Sequence, residues 1–143
     1  MALNITIRPC RHDEFPAILD LWKAAGSLPS ITDSLQALEL VLRRGDDLLL
    51  VTEYDSRIIG TVMGGWDGWR ANIYRLAVLP QYRRQGIGRA LVREIEKRLR
   101  QKGARKISIM VEGNDELAKV FWNALDDSGY EYDPRIIRYV KNI

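Results

Sequence analysis

The sequence predicts an α/β (α+β) fold, built on a mixed, mostly antiparallel sheet with a central parallel pair and about four helices. Three strand-like runs lie between residues 48 and 78, separated only by short turn-forming segments, as in an antiparallel meander. An amphipathic helix follows the third run and leads into a further apolar strand, and a helical crossover of that kind makes the two strands parallel. Helical periodicity recurs twice before this block and once after it.

Leu3-Asn4-Ile5-Thr6-Ile7-Arg8 alternates apolar and polar residues, the period of a half-buried strand, and Pro9 ends it. Asp13 and Glu14 then favour a helix start, and Ile18, Leu19, Leu21 and Trp22 form its apolar face before Gly26. Leu28-Pro29-Ser30 reads as a loop and Thr32 or Asp33 as the cap of a second helix, which buries Leu35, Leu38, Val41 and Leu42 and stops at Arg43, Arg44 and Gly45.

Residues 48–53 and 58–63 flank Tyr54-Asp55-Ser56-Arg57 as a hairpin. The glycine-rich segment Gly64-Gly65-Trp66-Asp67-Gly68 then leads to a strand over 73–78. Ile87, Leu91, Ile95 and Leu99 recur every four residues up to Gly103, with Glu94 and Arg98 able to pair outside. The parallel strand covers 106–111. Asn114 caps the last helix, with Leu117, Val120, Phe121, Ala124 and Leu125 on its buried side. Two carboxylates in Asp126-Asp127-Ser128 oppose the dipole of that helix, which suggests a remodelled turn. Tyr130–Tyr132 and Ile136–Val140 read as a closing hairpin through Asp133-Pro134.

At 143 residues, the chain has the size of one domain, residues 1–143. With 46% hydrophobic and 29% charged residues it falls in the globular range. No apolar run approaches a membrane span, and Met1-Ala2-Leu3-Asn4 lacks a signal pattern, so a cytoplasmic protein is expected. One cysteine, Cys10, fits a reducing compartment, and with a single histidine, His12, the usual zinc ligand sets are out of reach. A net charge of +3 permits contact with polyanions, yet no stripe of basic residues interleaved with aromatics suggests nucleic acid.

The informative stretch is Leu76-Ala77-Val78-Leu79-Pro80-Gln81-Tyr82-Arg83-Arg84-Gln85-Gly86-Ile87-Gly88-Arg89. It is a strand that exits at a proline, an arginine-rich loop, and a helix entered at two glycines. A helix start carries unpartnered N–H groups and partial positive charge, so such a start suits a phosphorylated ligand. Arg83, Arg84 and Arg89 add cations. A P-loop is excluded because Arg89 and Ala90 follow Gly88 where Lys and Ser/Thr are required, and a dinucleotide fingerprint lacks its third glycine.

The run resembles the acetyl-coenzyme A motif of the GNAT superfamily of N-acetyltransferases, Gln/Arg-x-x-Gly-x-Gly/Ala, with Arg83, Gly86 and Gly88 at its defining positions. The order of elements is also that of the GNAT fold, so the resemblance spans essentially the whole chain. It implies that the pantetheine arm lies against the main chain of Leu76, Ala77 and Val78, where the strands ending at Val78 and Val111 splay apart. It further implies that the Val78 N–H stabilises the oxyanion, and that the N–H groups of Gln85, Gly86, Ile87, Gly88 and Arg89 receive the pyrophosphate. Asn114 matches a family asparagine that positions the arm, although it also reads as a plain cap.

One position departs from the family. Many members carry a tyrosine about seven residues after the asparagine, as the acid that protonates the leaving thiolate. Here Phe121 and Trp122 occupy that region, and Gly129-Tyr130 arrives three residues late. Water, Tyr130 or Tyr132 could substitute. Glu53 and Asp67 are candidate bases for an ammonium acceptor, each with a structural alternative, and Trp66, Trp69 and Tyr74 could line an acceptor pocket or pack on the sheet.

The expected activity is direct acetyl transfer from acetyl-coenzyme A to a primary amine of a protein or small molecule, without metal, nucleic acid or membrane. Self-association through sheet edges or the C-terminal strands would give a homodimer. An acyl-coenzyme A-binding module with lost transfer is the alternative, and a basic adaptor binding RNA through Arg83, Arg84, Arg89 and Arg93 is a third.

Overall fold

The structure, a computed structural model, describes residues 3–125 and 129–143, so the expectation for Asp126-Asp127-Ser128 lies outside the described residues. The elements run β1 (Thr6–Pro9), a 3-10 turn (His12–Glu14), α1 (Phe15–Ala24), α2 (Leu35–Arg43), β2 (Leu49–Tyr54), β3 (Arg57–Trp66) and β4 (Ala71–Val78). A second 3-10 turn (Pro80–Tyr82), α3 (Ile87–Lys102), β5 (Ile107–Ile109) and α4 (Glu116–Asn123) follow. The chain divides into two compact units, Met1–Ile109 and Met110–Ile143.

In the first unit the five strands lie in sequence order, β1-β2-β3-β4-β5. The first three pairings are antiparallel and β4–β5 is parallel, as the crossover through α3 requires. The hairpin between β2 and β3 turns through Asp55 and Ser56, with φ of 50° and 60°, both left-handed, which matches the strand twist.

Helices cover both faces of the sheet. Ile87, Leu91, Val92, Ile95 and Leu99 of α3 are buried, and a Cβ on Gly64 of β3 would come within 2.9 Å of Ile95. Glycine there lets α3 approach the sheet closely. On the opposite face, Trp22 of α1 is buried and its Nε1 donates to Thr61 Oγ1 of β3 at 2.9 Å.

Local signals fix most boundaries, with some corrections. Ser34, not Thr32 or Asp33, caps α2, its Oγ accepting from the Ala37 N–H at 3.1 Å. Gly103 ends α3 with φ of 112°, and the Ala104 N–H closes back on the Leu99 carbonyl at 3.0 Å. Glu94 and Arg98 pair at 3.0 Å as expected. Gly64 and Gly65 belong to β3 rather than to a loop.

In the second unit, Asp115 rather than Asn114 caps α4, accepting from the Ala118 N–H at 3.0 Å. Leu117 and Val120, expected to be buried, are more than half exposed. The expected closing hairpin does not form. Asp133 instead accepts the Arg135 N–H at 3.0 Å and pairs with its guanidinium, and Tyr132, Ile136, Ile137, Tyr139 and Val140 are exposed. Such local bonds compete with strand pairing, and two strands without a packed face are marginal.

Candidate active site

The motif lies where β4 ends and α3 begins, and the sheet opens beside it. Pairing of β4 with β5 stops at Ile73 opposite Ile109, whereas β4 continues to Val78. Tyr74–Val78 therefore has no β5 partner. Between Thr61–Ala77 and Met63–Tyr74 the β3–β4 register shifts, so that Arg75 and Leu76 together face Val62. This is a bulge, and Arg75 has a left-handed φ of 52°.

The bulge decides which way the strand's amides point. The Ala71 N–H donates to Lys106, on the β5 side, at 3.2 Å, while the Leu79 N–H donates to Ile59, on the β3 side, at 2.9 Å. In a regular strand two residues an even number apart point their N–H groups to the same side. Here they point to opposite sides. Since Leu79 faces β3, Val78 directs its N–H away from β3, towards the open edge.

Beyond Val78 the chain turns through Pro80–Tyr82, and Tyr82 packs edge-on against Tyr54 with ring centroids 5.8 Å apart. Arg83 is half-buried, its Nε on the Val78 carbonyl at 3.1 Å and its Nη2 on the Ala25 carbonyl at 2.9 Å. It thus anchors the loop to the end of α1. Arg84 and Gln85 are exposed, Arg84 with φ of 62°. Gly86 follows as the N-cap of α3, with φ of 82° and no side chain capping the helix.

An added Cβ on Gly86 would meet nothing within 4 Å, so its conformation, not crowding within the protein, calls for glycine. Ile87 is buried against the sheet, Gly88 and Arg89 are half-buried in the first turn, and the first helical bond closes from the Ala90 N–H to the Gly86 carbonyl at 3.0 Å.

The remaining expected residues are scattered. Glu53 lies near the end of β2, at the same end of the sheet as Val78, and its carboxylate binds the Arg8 guanidinium at 3.2 Å. Trp66 and Asp67 are not brought to Val78. Trp66 pairs with Ala71 at the opposite end of β4, about 23 Å away at the rise of a strand. Asp67 accepts N–H bonds from Arg70 and Trp69, each 2.8 Å, and these hold its carboxyl below its ordinary value. It is a turn former. Trp69 is exposed with the Arg70 guanidinium 4.3 Å from its ring. Tyr74, partly exposed, packs over Gly65.

In the second unit Asn114 is exposed in the turn preceding α4, and Trp122 is half-buried. The Trp122 ring stands edge-on to both Phe121 and Tyr130, each with centroids 5.1 Å away. Tyr130 is therefore next to the helix position at which the tyrosine is missing.

Sequence reasoning overlooked Arg75. Its Nη2 pairs with Asp33 at 2.6 Å, its Nη1 donates to the Leu28 carbonyl at 3.0 Å, and its guanidinium lies 4.9 Å from the Trp22 ring centroid. A cation within the run Ile73-Tyr74-Arg75-Leu76-Ala77-Val78 was the available signal, but period-2 alternation gives no sign of a bulge.

Comparison with known proteins identifies the family and the fold. The sequence profile of the acetyltransferase (GNAT) family matches residues 15–125. The protein is a member of the GNAT acetyltransferase family. It is 34% identical over 137 residues to an acetyltransferase of Sodalis glossinidius, covering 96% of this chain and 94% of the relative. An acetyltransferase of Pectobacterium atrosepticum is 40% identical over 116 residues, with 80% and 82% of the two chains covered. The fold is also that of the PaiA N-acetyltransferase of Thermoplasma acidophilum, solved in complex with coenzyme A, with a TM-score of 0.74, 20% identity, and 86% and 89% of the chains covered. Among the described residues, no helix is long and apolar enough to cross a membrane.

Proposed function

We propose that this GNAT acetyltransferase takes acetyl-coenzyme A as donor and a primary amine as acceptor, and transfers the acetyl group directly between them. The observation that carries the reading is the open β4 edge with the Val78 N–H facing it, one short loop before the uncapped start of α3. Membership of the family and the coenzyme A complex of the Thermoplasma acidophilum relative support the donor.

In this reading the main chain of Leu76, Ala77 and Val78 receives the pantetheine arm. The amides from Gln85 to Arg89 receive the diphosphate, with Arg84 adding charge at the rim. Arg83 supports the loop from beneath. The amine nitrogen bonds to the acyl carbon, the C–S bond breaks, and the proton lost by nitrogen balances the one taken by the thiolate. The Val78 N–H meets the oxyanion, a donor worth about 3–4 kcal/mol in the barrier. The family resemblance gives Asn114 and Trp122 roles toward the donor, and Tyr74 is assigned to the acceptor. Glu53 is the preferred base over Asp67, because Glu53 lies at the Val78 end of the sheet and Asp67 at the other end of β4.

Coenzyme A should raise the melting temperature, and a bulky residue at Gly86 or Gly88 should abolish that rise. No shift at millimolar ligand would sink the reading. Trp122 in place of a tyrosine favours a second reading, an acyl-coenzyme A-binding module with weak transfer. Release of free thiol across a panel of amines separates the two, since robust turnover excludes the module.

A further inference from the structure

We propose that Arg75 is a positioning residue for the Val78 N–H, acting through a clamp with Leu28, Asp33, Trp22 and Thr61. The inference rests on the role given to Val78 above.

The clamp holds both the main chain and the side chain of one residue. On the main-chain side, the Arg75 carbonyl accepts from Thr61 Oγ1 at 3.0 Å, and that oxygen accepts from Trp22 Nε1 at 2.9 Å. Thr61 and Trp22 are both buried, so neither group can turn to water instead. On the side-chain side, the guanidinium is fixed by Asp33 at 2.6 Å and by the Leu28 carbonyl at 3.0 Å, with the Trp22 ring beneath it. Both groups of the Arg75–Asp33 pair are about four-fifths buried.

These contacts have a job that helix-to-sheet packing alone does not require. A left-handed φ is unfavourable for any residue with a Cβ, so the bulge persists only where its surroundings impose it. Removing the extra residue from the pairing would invert every N–H beyond it. Leu79 would then face the gap and Val78 would face β3. The clamp therefore sets the direction of the one donor on which the transfer depends. Because it ends on Leu28 and Asp33, it also ties that donor to the segment joining α1 and α2.

The test uses the full chain with Arg75→Ala, Arg75→Gly and Asp33→Ala. In Arg75→Ala and Asp33→Ala, kcat should fall about tenfold or more while KM for acetyl-coenzyme A stays within about twofold, as expected when a reacting group is displaced without loss of binding. Arg75→Gly should keep more activity than Arg75→Ala, since glycine adopts the left-handed backbone unaided. In the nucleotide-free protein the Val78 amide resonance should move in Arg75→Ala and Asp33→Ala while that of Leu99, at the far end of α3, stays in place. Folded variants with an unmoved Val78 resonance and wild-type kcat would overturn the inference. A wild-type protein that binds no coenzyme A would instead overturn the proposed function, and the resonance alone would then judge the clamp.

Discussion

Arg83 and Val78 form the joint of the site: Arg83 Nε donates to the Val78 carbonyl at 3.1 Å while its Nη2 holds the Ala25 carbonyl, at the C-terminal end of α1, at 2.9 Å. A cation is favoured there by the helix dipole and by the last carbonyls of the helix. Arg83 is thus spent on the scaffold, and its place in the motif is explained by anchoring the strand exit. Replacement by alanine should cost about 2–3 kcal/mol, the scale of charge-assisted bonds to partly buried carbonyls. Lysine should recover little, because one ammonium cannot span both carbonyls. Urea midpoints of the two variants check this, and a lysine variant as stable as wild type would refute the two-point anchor.

How far the sequence was legible depends on which contacts decide each element. The end of β4 and the start of α3 are set by Pro80, Gly86 and the four-residue spacing from Ile87 to Leu99, all local signals. Trp66 and Asp67 were misplaced because Gly64 and Gly65 look like a loop. They are strand residues, glycine because Ile95 and Tyr74 pack over them, and that is a tertiary reason invisible along the chain. The Arg75 bulge depends on groups 14 to 53 residues away, Thr61, Asp33, Leu28 and Trp22 among them. The C-terminal apolar residues carry strand-like composition, but composition supplies no pairing partner.

Gly86 separates conformation from bulk. Its φ of 82° disfavours any Cβ, yet the space around a Cβ is open. Gly86→Ala should lose about 1 kcal/mol of stability, and Gly86→Asn less, since asparagine tolerates the left-handed region. Coenzyme A should still shift the melting curve of the asparagine variant more than that of the alanine variant. A larger loss for asparagine than for alanine would show that bulk, not backbone angle, is the constraint.

Tyr130 stands edge-on to Trp122 at 5.1 Å, beside the helix position that lacks a hydroxyl. If its hydroxyl protonates the leaving thiolate, Tyr130→Phe should lower kcat by about 10²-fold, the lower end for general acid help, and leave KM for the donor unchanged. The loss should be smaller with a donor whose thiol is more acidic. Wild-type kcat in Tyr130→Phe would exclude Tyr130 and leave the proton to water or Tyr132.

Arg8 grips Glu14 through two bonds of 2.9 and 2.6 Å, and this pairing holds the Glu14 carboxyl below its ordinary value. With a folded pKa below the unfolded value of about 4.3, the pair adds stability above that value, and the contribution disappears as pH falls through the folded pKa. Glu14→Gln should therefore cost about 2 kcal/mol at pH 7. Below about pH 4 the wild-type advantage should shrink towards zero. Urea unfolding of both proteins at pH 7 and pH 3 tests the sign: a gap between midpoints that stays constant with pH would mean that Glu14 contributes through shape rather than charge.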